Sequence, residues 1–195
     1  MKIRTAAATA ALALALTLVG CAPGAGSDDT DDMPGMDHDG SSESAEFDSA
    51  DVMFAQMMIP HHEQAVEMSD VLLAKDGVDE DVAALAERIK AAQQPEIDLM
   101  EGWLEDWDVD TPASGMDHGD GMMSQGDMDA LEDATGDEAS ALFLEQMIEH
   151  HEGAILMVEG EVEAGQNPDA IALAEKIIED QTAEIAEMEQ LLGGS

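Results

Sequence analysis

Apolar side chains recur every three or four residues along four stretches of the chain, with polar side chains between them. In the first, Phe54, Met58, His61, Ala65 and Met68 fall at spacings of 4, 3, 4 and 3, which is one face of an α-helix. The same spacing returns 89 residues later as Phe143, Met147, His150, Ala154 and Met157. Two further stripes follow these: Val82, Leu85, Ile89, Gln93, Glu96, Met100 and Trp103, then Ala170, Leu173, Ile177, Gln181, Glu184, Met188 and Leu191. They align after a one-residue slip in the loop. The pattern predicts two helical hairpins, residues 48–107 and 137–192, each a repeat of the other.

Punctuation between the stripes supports this division. A first helix from about Ser49 to Lys75 is followed by Gly77 and a new start at Asp79, while Gly165 ends the third helix and Asn167-Pro168 opens the fourth. Asn before Pro is a cap followed by a residue suited to the first helical turn. Pro60 and Pro95 interrupt helical patterns, so those helices are expected to continue with kinks. Four amphipathic helices, a short turn within each hairpin and a long connection between hairpins predict an all-α four-helix bundle, both hairpins forming one domain.

The remaining sequence has a different character. Residues 1–20 carry Lys2 and Arg4 followed by a short apolar run, the signature of an export signal too short to span a bilayer comfortably. Leu18-Val19-Gly20-Cys21 resembles the bacterial lipobox, whose cysteine is acylated, and Cys21 is the only cysteine. No intrachain disulfide can form. Residues 21–47 are rich in Gly, Ser, Asp and Glu, as expected of a lipidated disordered tether. Met33, Met36 and His38 lie within it. A second polar segment, 108–136, reads as a flexible linker carrying Met116, His118, Met122 and Met123. These Met/His runs are candidate auxiliary metal ligands, since a flexible soft-ligand segment needs no fold to wrap an ion; chance methionines in low-complexity sequence are the alternative.

Charge removes several functional classes. The chain carries 46 acidic against 6 basic residues, a formal net charge of −40. Such a surface repels nucleic acid and anionic lipid and attracts cations. Adaptation to a salty habitat would give the same composition. No phosphate loop, Ser/His/Asp arrangement or cysteine nucleophile supports a kinase or hydrolase reading.

Candidate chemistry sits on the stripes themselves. Four of the six histidines form two His-His pairs, His61-His62 and His150-His151, with one member of each on an apolar face that normally takes Leu, Ile or Val. Met58, Met68, Met147 and Met157 accompany them, and thioether with imidazole is a donor set for a soft metal ion. His62 and His151, rotated about 100° from the stripe, are expected at its rim. Glu96 and Glu184 lie on the facing stripes. Buried carboxylates are costly unless paired or metal-bound, so they are expected to meet the histidines or an ion; a place at the wet edge of the stripe is the alternative. Hydrogen-bonded core histidines with methionines that merely pack would give the same pattern.

The doubled Phe-x-x-x-Met-Ile-x-His-His-Glu with a downstream Gln-x-x-Glu-Ile-x-x-Met resembles the DUF305 family of exported bacterial proteins, over residues 48–107 and 137–192. The resemblance implies a ferritin-like fold and, through some members, copper binding. Di-iron bundles of that class use Glu-x-x-His, whereas the residues three before His61 and His150 are Met58 and Met147, which favours Cu(I) over iron. The expectation is a lipoprotein at the outer face of the cell membrane that binds copper, or another transition metal, for buffering, delivery or tolerance. Its partners would be the metal ion, the membrane through the lipid anchor, and copper donor or acceptor proteins, with no nucleic acid. A carboxylate/histidine metalloenzyme and a metal-free structural or signalling lipoprotein remain the alternatives.

Overall fold

The computed structural model describes residues 47–111 and 121–193. Cys21, Met33, Met36, His38, Met116 and His118 lie outside them. Among the described residues the secondary structure is entirely helical: α1 (Ser49–Leu73), α2 (Glu80–Asp106), α3 (Gln125–Asp133), α4 (Gly136–Ala164) and α5 (Pro168–Gly193).

Caps set the helix starts. Asp48 accepts from the amides of Ala50 and Asp51 at 2.7 and 3.4 Å while Asp51 accepts from the Asp48 amide at 2.6 Å, a reciprocal box that begins α1. Asp79 caps α2 through the amides of Asp81 and Val82, and Asn167 caps α5 through those of Asp169 and Ala170. Both α1 and α2 run through Pro60 and Pro95 without a break.

Each hairpin packs on itself, α1 with α2 and α4 with α5, and the two hairpins meet chiefly through α1 and α4. Long side chains bridge α2 and α5: Arg88 Nη2 reaches Glu187 Oε1 at 2.5 Å and Lys176 Nζ reaches Glu96 Oε1 at 2.8 Å. The bundle's apolar core is divided in two. One part gathers Met68, Leu72, Leu85, Ile89, Phe143, Leu144 and Met147 with Met123, Met128 and Leu131. The other gathers Phe54, Met58, Ile97, Met100, Leu104, Val158, Leu173 and Ile177. On every long helix the boundary between them falls at the polar residues of the stripe.

Two expectations need correction here. Residues 108–136 are not a flexible linker throughout, because 125–133 form α3 and bury Met128 and Leu131. Only two large apolar side chains mark that helix, and nine residues are too few to be stable alone; packing against α1 and α4 supplies what the local pattern lacks. Met123 is likewise not part of a flexible segment but buried in the core, 7 % exposed, with its amide donating to Gln64 Oε1 at 2.7 Å and its carbonyl accepting from Gln64 Nε2 at 2.9 Å. Met122 beside it is half-buried.

Candidate metal centre in a buried histidine layer

Between the two apolar halves lies a polar layer drawn from all four long helices. His61 and His62 come from α1, His150 and His151 from α4, Gln93 and Glu96 from α2, and Gln181 and Glu184 from α5. All four histidines are completely buried. The rings of His61 and His150 lie against each other with centroids 3.7 Å apart and planes tilted by 39°. The seam between hairpins thus runs through the first histidine of each pair.

His62 and His151 are not at a wet rim. Rotation by about 100° from the stripe turns them toward the second helix of their own hairpin, where His62 Nε2 donates to Glu96 Oε2 at 2.8 Å and His151 Nε2 donates to Glu184 Oε2 at 2.7 Å. Glu96 and Glu184 sit at the stripe edge, with side chains 12 % and 20 % exposed, while reaching in to the imidazoles. Ile97 and Leu104, rather than Glu96 and Trp103, fill the core of α2. Glu96 is the more strongly held carboxylate, for Lys176 grips its other oxygen and is itself gripped by Asp180. Burial alone would raise Glu96, but its bonds to His62 and Lys176 hold its carboxyl below the ordinary value.

The electrostatics keep the central rings neutral. Burial pushes His61 down to about 3, helped by the neighbouring His62 and His151, and pushes His150 well below its ordinary value, helped by His61. Burial also lowers His62, against the pull of Glu96. A neutral imidazole that donates Nε2–H to a carboxylate presents a bare lone pair on Nδ1. Nδ1 of His62 and of His151, and both ring nitrogens of His61 and His150, lack a hydrogen-bond partner of good geometry; His150 has only a weak contact to the His61 backbone. The amide of Gln93 and the carbonyl of Gln181 are also unpartnered. Buried polar groups are normally satisfied, so this concentration of free donor atoms in one layer is chemically suited to a bound ion.

Of the expected methionines, Met58 and Met147 are fully buried one turn before the first histidine of each pair, and Met68 is buried in the core half beyond. Met157 is half-buried. Glu63 and Glu152 point to solvent, away from the seam. Among the described residues no three His, Cys, Asp or Glu side chains are clustered so as to hold a metal by themselves. An ion in this layer would draw on imidazole together with thioether. Sequence reading passed over Asp51 and Glu161, which pair in the core half that contains Phe54. Extending the 4, 3, 4, 3 stripe one further step beyond Met157 reaches Glu161, which was the available signal.

Comparison with known proteins fits this arrangement. The description "domain of unknown function (DUF305)" matches residues 51–192. The chain belongs to the DUF305 family. A DUF305 protein from Streptomyces coelicolor, described as secreted, is 36 % identical, with 75 % of this chain and 93 % of that one covered at a TM-score of 0.70. A DUF305 fragment from Deinococcus radiodurans is 28 % identical over 76 % of this chain and 99 % of its own, also at 0.70. CopM in its Cu(I)-bound form is 31 % identical over 74 % and 96 %, with a TM-score of 0.64, and its Cu(II)-bound and Ag-bound forms match comparably. No curated protein matches the chain. The DUF305 assignment spans both hairpins and α3, so the histidine layer lies wholly within it.

Proposed function

We propose that this protein binds copper, as Cu(I), in the histidine layer, and buffers or delivers it without catalysing a reaction. The observation that carries the reading is the set of six imidazole nitrogens without a hydrogen-bond partner of good geometry, sealed between two apolar cores, with His61 and His150 kept neutral by burial. His61 and His150 with Met58 and Met147 would be the inner ligands. His62 and His151, oriented by Glu96 and Glu184, would offer Nδ1 from either flank, and Met68 and Met157 would stand in reserve along the stripes. A hydrogen-bonded carboxylate behind an imidazole fixes its orientation and raises its basicity as a ligand. The copper- and silver-bound forms of CopM, a relative over most of the chain, support the choice of ion.

Export and attachment at Cys21 to the outer face of the membrane belong to the same proposal, supported by the lipobox-like run and the secreted description of the Streptomyces relative. No described helix is long and apolar enough to cross a membrane. The segments with Met33, Met36, His38, Met116 and His118 would add weak capture sites, because ordering them around an ion costs conformational entropy. An iron or manganese enzyme draws no comparable support, since the carboxylates of Glu96 and Glu184 are engaged by the histidines.

The test is a Cu(I) competition titration of the protein and of two paired variants, His61→Leu with His150→Leu, and His62→Gln with His151→Gln. Loss of at least tenfold in affinity in the first pair, with a smaller loss in the second, is expected. Unchanged copper affinity in both pairs would move the site out of the layer. Replacement of Cys21 by Ser should release the protein from the membrane fraction, and retention there would require another anchor.

A further inference from the structure

The groove between α1 and α4 runs along both halves of the bundle and is finished differently in each. Beside the half that contains Phe143, the segment from Gly121 to Asp133 lies over it. Gln146 Nε2 donates to the Asp127 carbonyl at 2.9 Å, and a side chain at Gly121 would strike the Gly153 backbone, its Cβ only 2.6 Å from the Cα. In the repeat, the positions equivalent to Leu142 and Gln146 are Met53 and Met57. They lie on the other half, where the groove is an open cavity of about 240 Å³ between α1 and α4.

Four methionines line that cavity, Met53, Met57, Met58 and Met157, with Phe54 and Glu161. Met53 is 59 % exposed and Met58 fully buried, so thioethers extend from solvent to the core. Met58 is one turn from His61. A groove built only to dock an apolar helix gains nothing from a carboxyl, yet Glu161, 2 % exposed, lines the cavity with its carboxyl paired to that of Asp51. An apolar occupant would bury this pair of acidic groups further from water, at a cost. A cation would meet them favourably, and thioethers choose a soft one over Mg or Ca. The strongly acidic surface raises the local concentration of any cation at the mouth.

We propose that this cavity is a second binding site, separate from the histidine layer, for a soft monovalent cation held by the thioethers of Met53, Met57 and Met157. That the ion is Cu(I) in the cell rests on the copper reading above; the existence of the site does not. Met58, shared between the cavity floor and the seam, makes the site a surface station from which an ion can reach His61 and His150.

Silver(I) is the probe, being soft, monovalent and diamagnetic. The full chain, labelled with ¹³C in its methionine methyl groups and assigned by single Met→Leu variants, is titrated with Ag(I) and separately with Mg(II). The methyl signals of Met53, Met57 and Met157 are expected to shift together and saturate with Ag(I), and to stay in place with Mg(II). They should do so equally in the His61→Leu/His150→Leu variant, which separates this site from the histidine layer. Met53→Leu with Met57→Leu, at exposed and half-buried positions where the fold tolerates Leu, should weaken the Met157 response at least tenfold while leaving circular dichroism unchanged. Methyl signals that move only after the other methionines have saturated, that respond alike to Mg(II), or that vanish with the histidine layer would each overturn the proposal. An undiminished Met157 response in the double Leu variant would do the same.

Discussion

At one end of the bundle Leu72 of α1 and Ser140 of α4 are both buried, and at the other end their equivalents in the repeat are Glu161 and Asp51. Ser140 accepts the Asp79 amide from the loop between α1 and α2 at 2.9 Å. Asp51 plays the matching part for the loop between α4 and α5, accepting the amides of Gln166 and Asn167 at 3.1 and 2.9 Å. The repeat has kept the loop tether and changed its partner from leucine to glutamate. Two carboxyl groups now face each other where the first end has an alkyl group and a hydroxyl. Burial, with the hydrogen bond and charge of Asp51, pushes Glu161 up to about 8, so a proton is retained on Glu161 at neutral pH. Burial would raise Asp51 as well, yet the amides of Asn167 and Asp48 hold it below its ordinary value. One end is therefore sealed by α3 and indifferent to pH at these positions, and the other is open to solvent and charged with a single shared proton. The repeat supplied two equivalent grooves, and differences at a few positions left one covered by α3 and the other open.

The largest expected contrast is in packing. Phe143 is fully buried under α3, whereas its repeat equivalent Phe54, 5 % exposed, borders the open cavity. Phe143→Ala should cost about 3–5 kcal/mol, and Phe54→Ala less by 1 kcal/mol or more, because an open site relaxes and admits water where a sealed one keeps its void. Paired urea denaturation curves check this, and equal losses would remove the distinction between the ends.

A second contrast is in pH dependence, and the signs are opposite. Below pH ~6.5 the unfolded chain binds protons that His61 and His150 refuse in the fold, so stability falls as pH drops from there toward about 3. His61→Leu with His150→Leu should flatten that limb, His61 alone accounting for roughly 3 kcal/mol at pH 4. Glu161 acts the other way: the folded state holds a proton that the unfolded state has released, so stability falls as pH rises from ~4.5 through about 8. Glu161→Gln should remove that alkaline slope, a gain on the order of 2 kcal/mol at pH 9. Thermal melts from pH 4 to 9 read both, and an alkaline slope that survives Glu161→Gln would mean that Asp51 and Glu161 do not share a proton.

The smallest effect sharpens the comparison from the open side. Met53→Leu should change apo stability by no more than ~0.5 kcal/mol, as expected for an exposed position. If it cost several times that, Met53 would be a packing residue and the open groove would be filled in solution.

Much of this fold was legible in the residues themselves. The 4, 3, 4, 3 stripes, the internal repeat, the caps at Asp79 and Asn167 and the placing of one histidine of each pair on a buried face all follow from local periodicity, since each residue turns a helix by about 100° whatever surrounds it. Periodicity reports one face of one helix. It misplaced His62 and His151 at a rim because α1 and α4 are each flanked by two neighbours, so a position 100° off the stripe meets a second helix instead of water. It missed α3 because a nine-residue acidic helix has no stability of its own and exists by packing. The meeting of His61 with His150, of Glu96 with His62 and Lys176, and of Asp51 with Glu161 was decided only in three dimensions. Those pairs are at least 34 residues apart and on different helices, and antiparallel packing sets the start of one helix beside the end of another, a relation that no spacing along a single helix encodes.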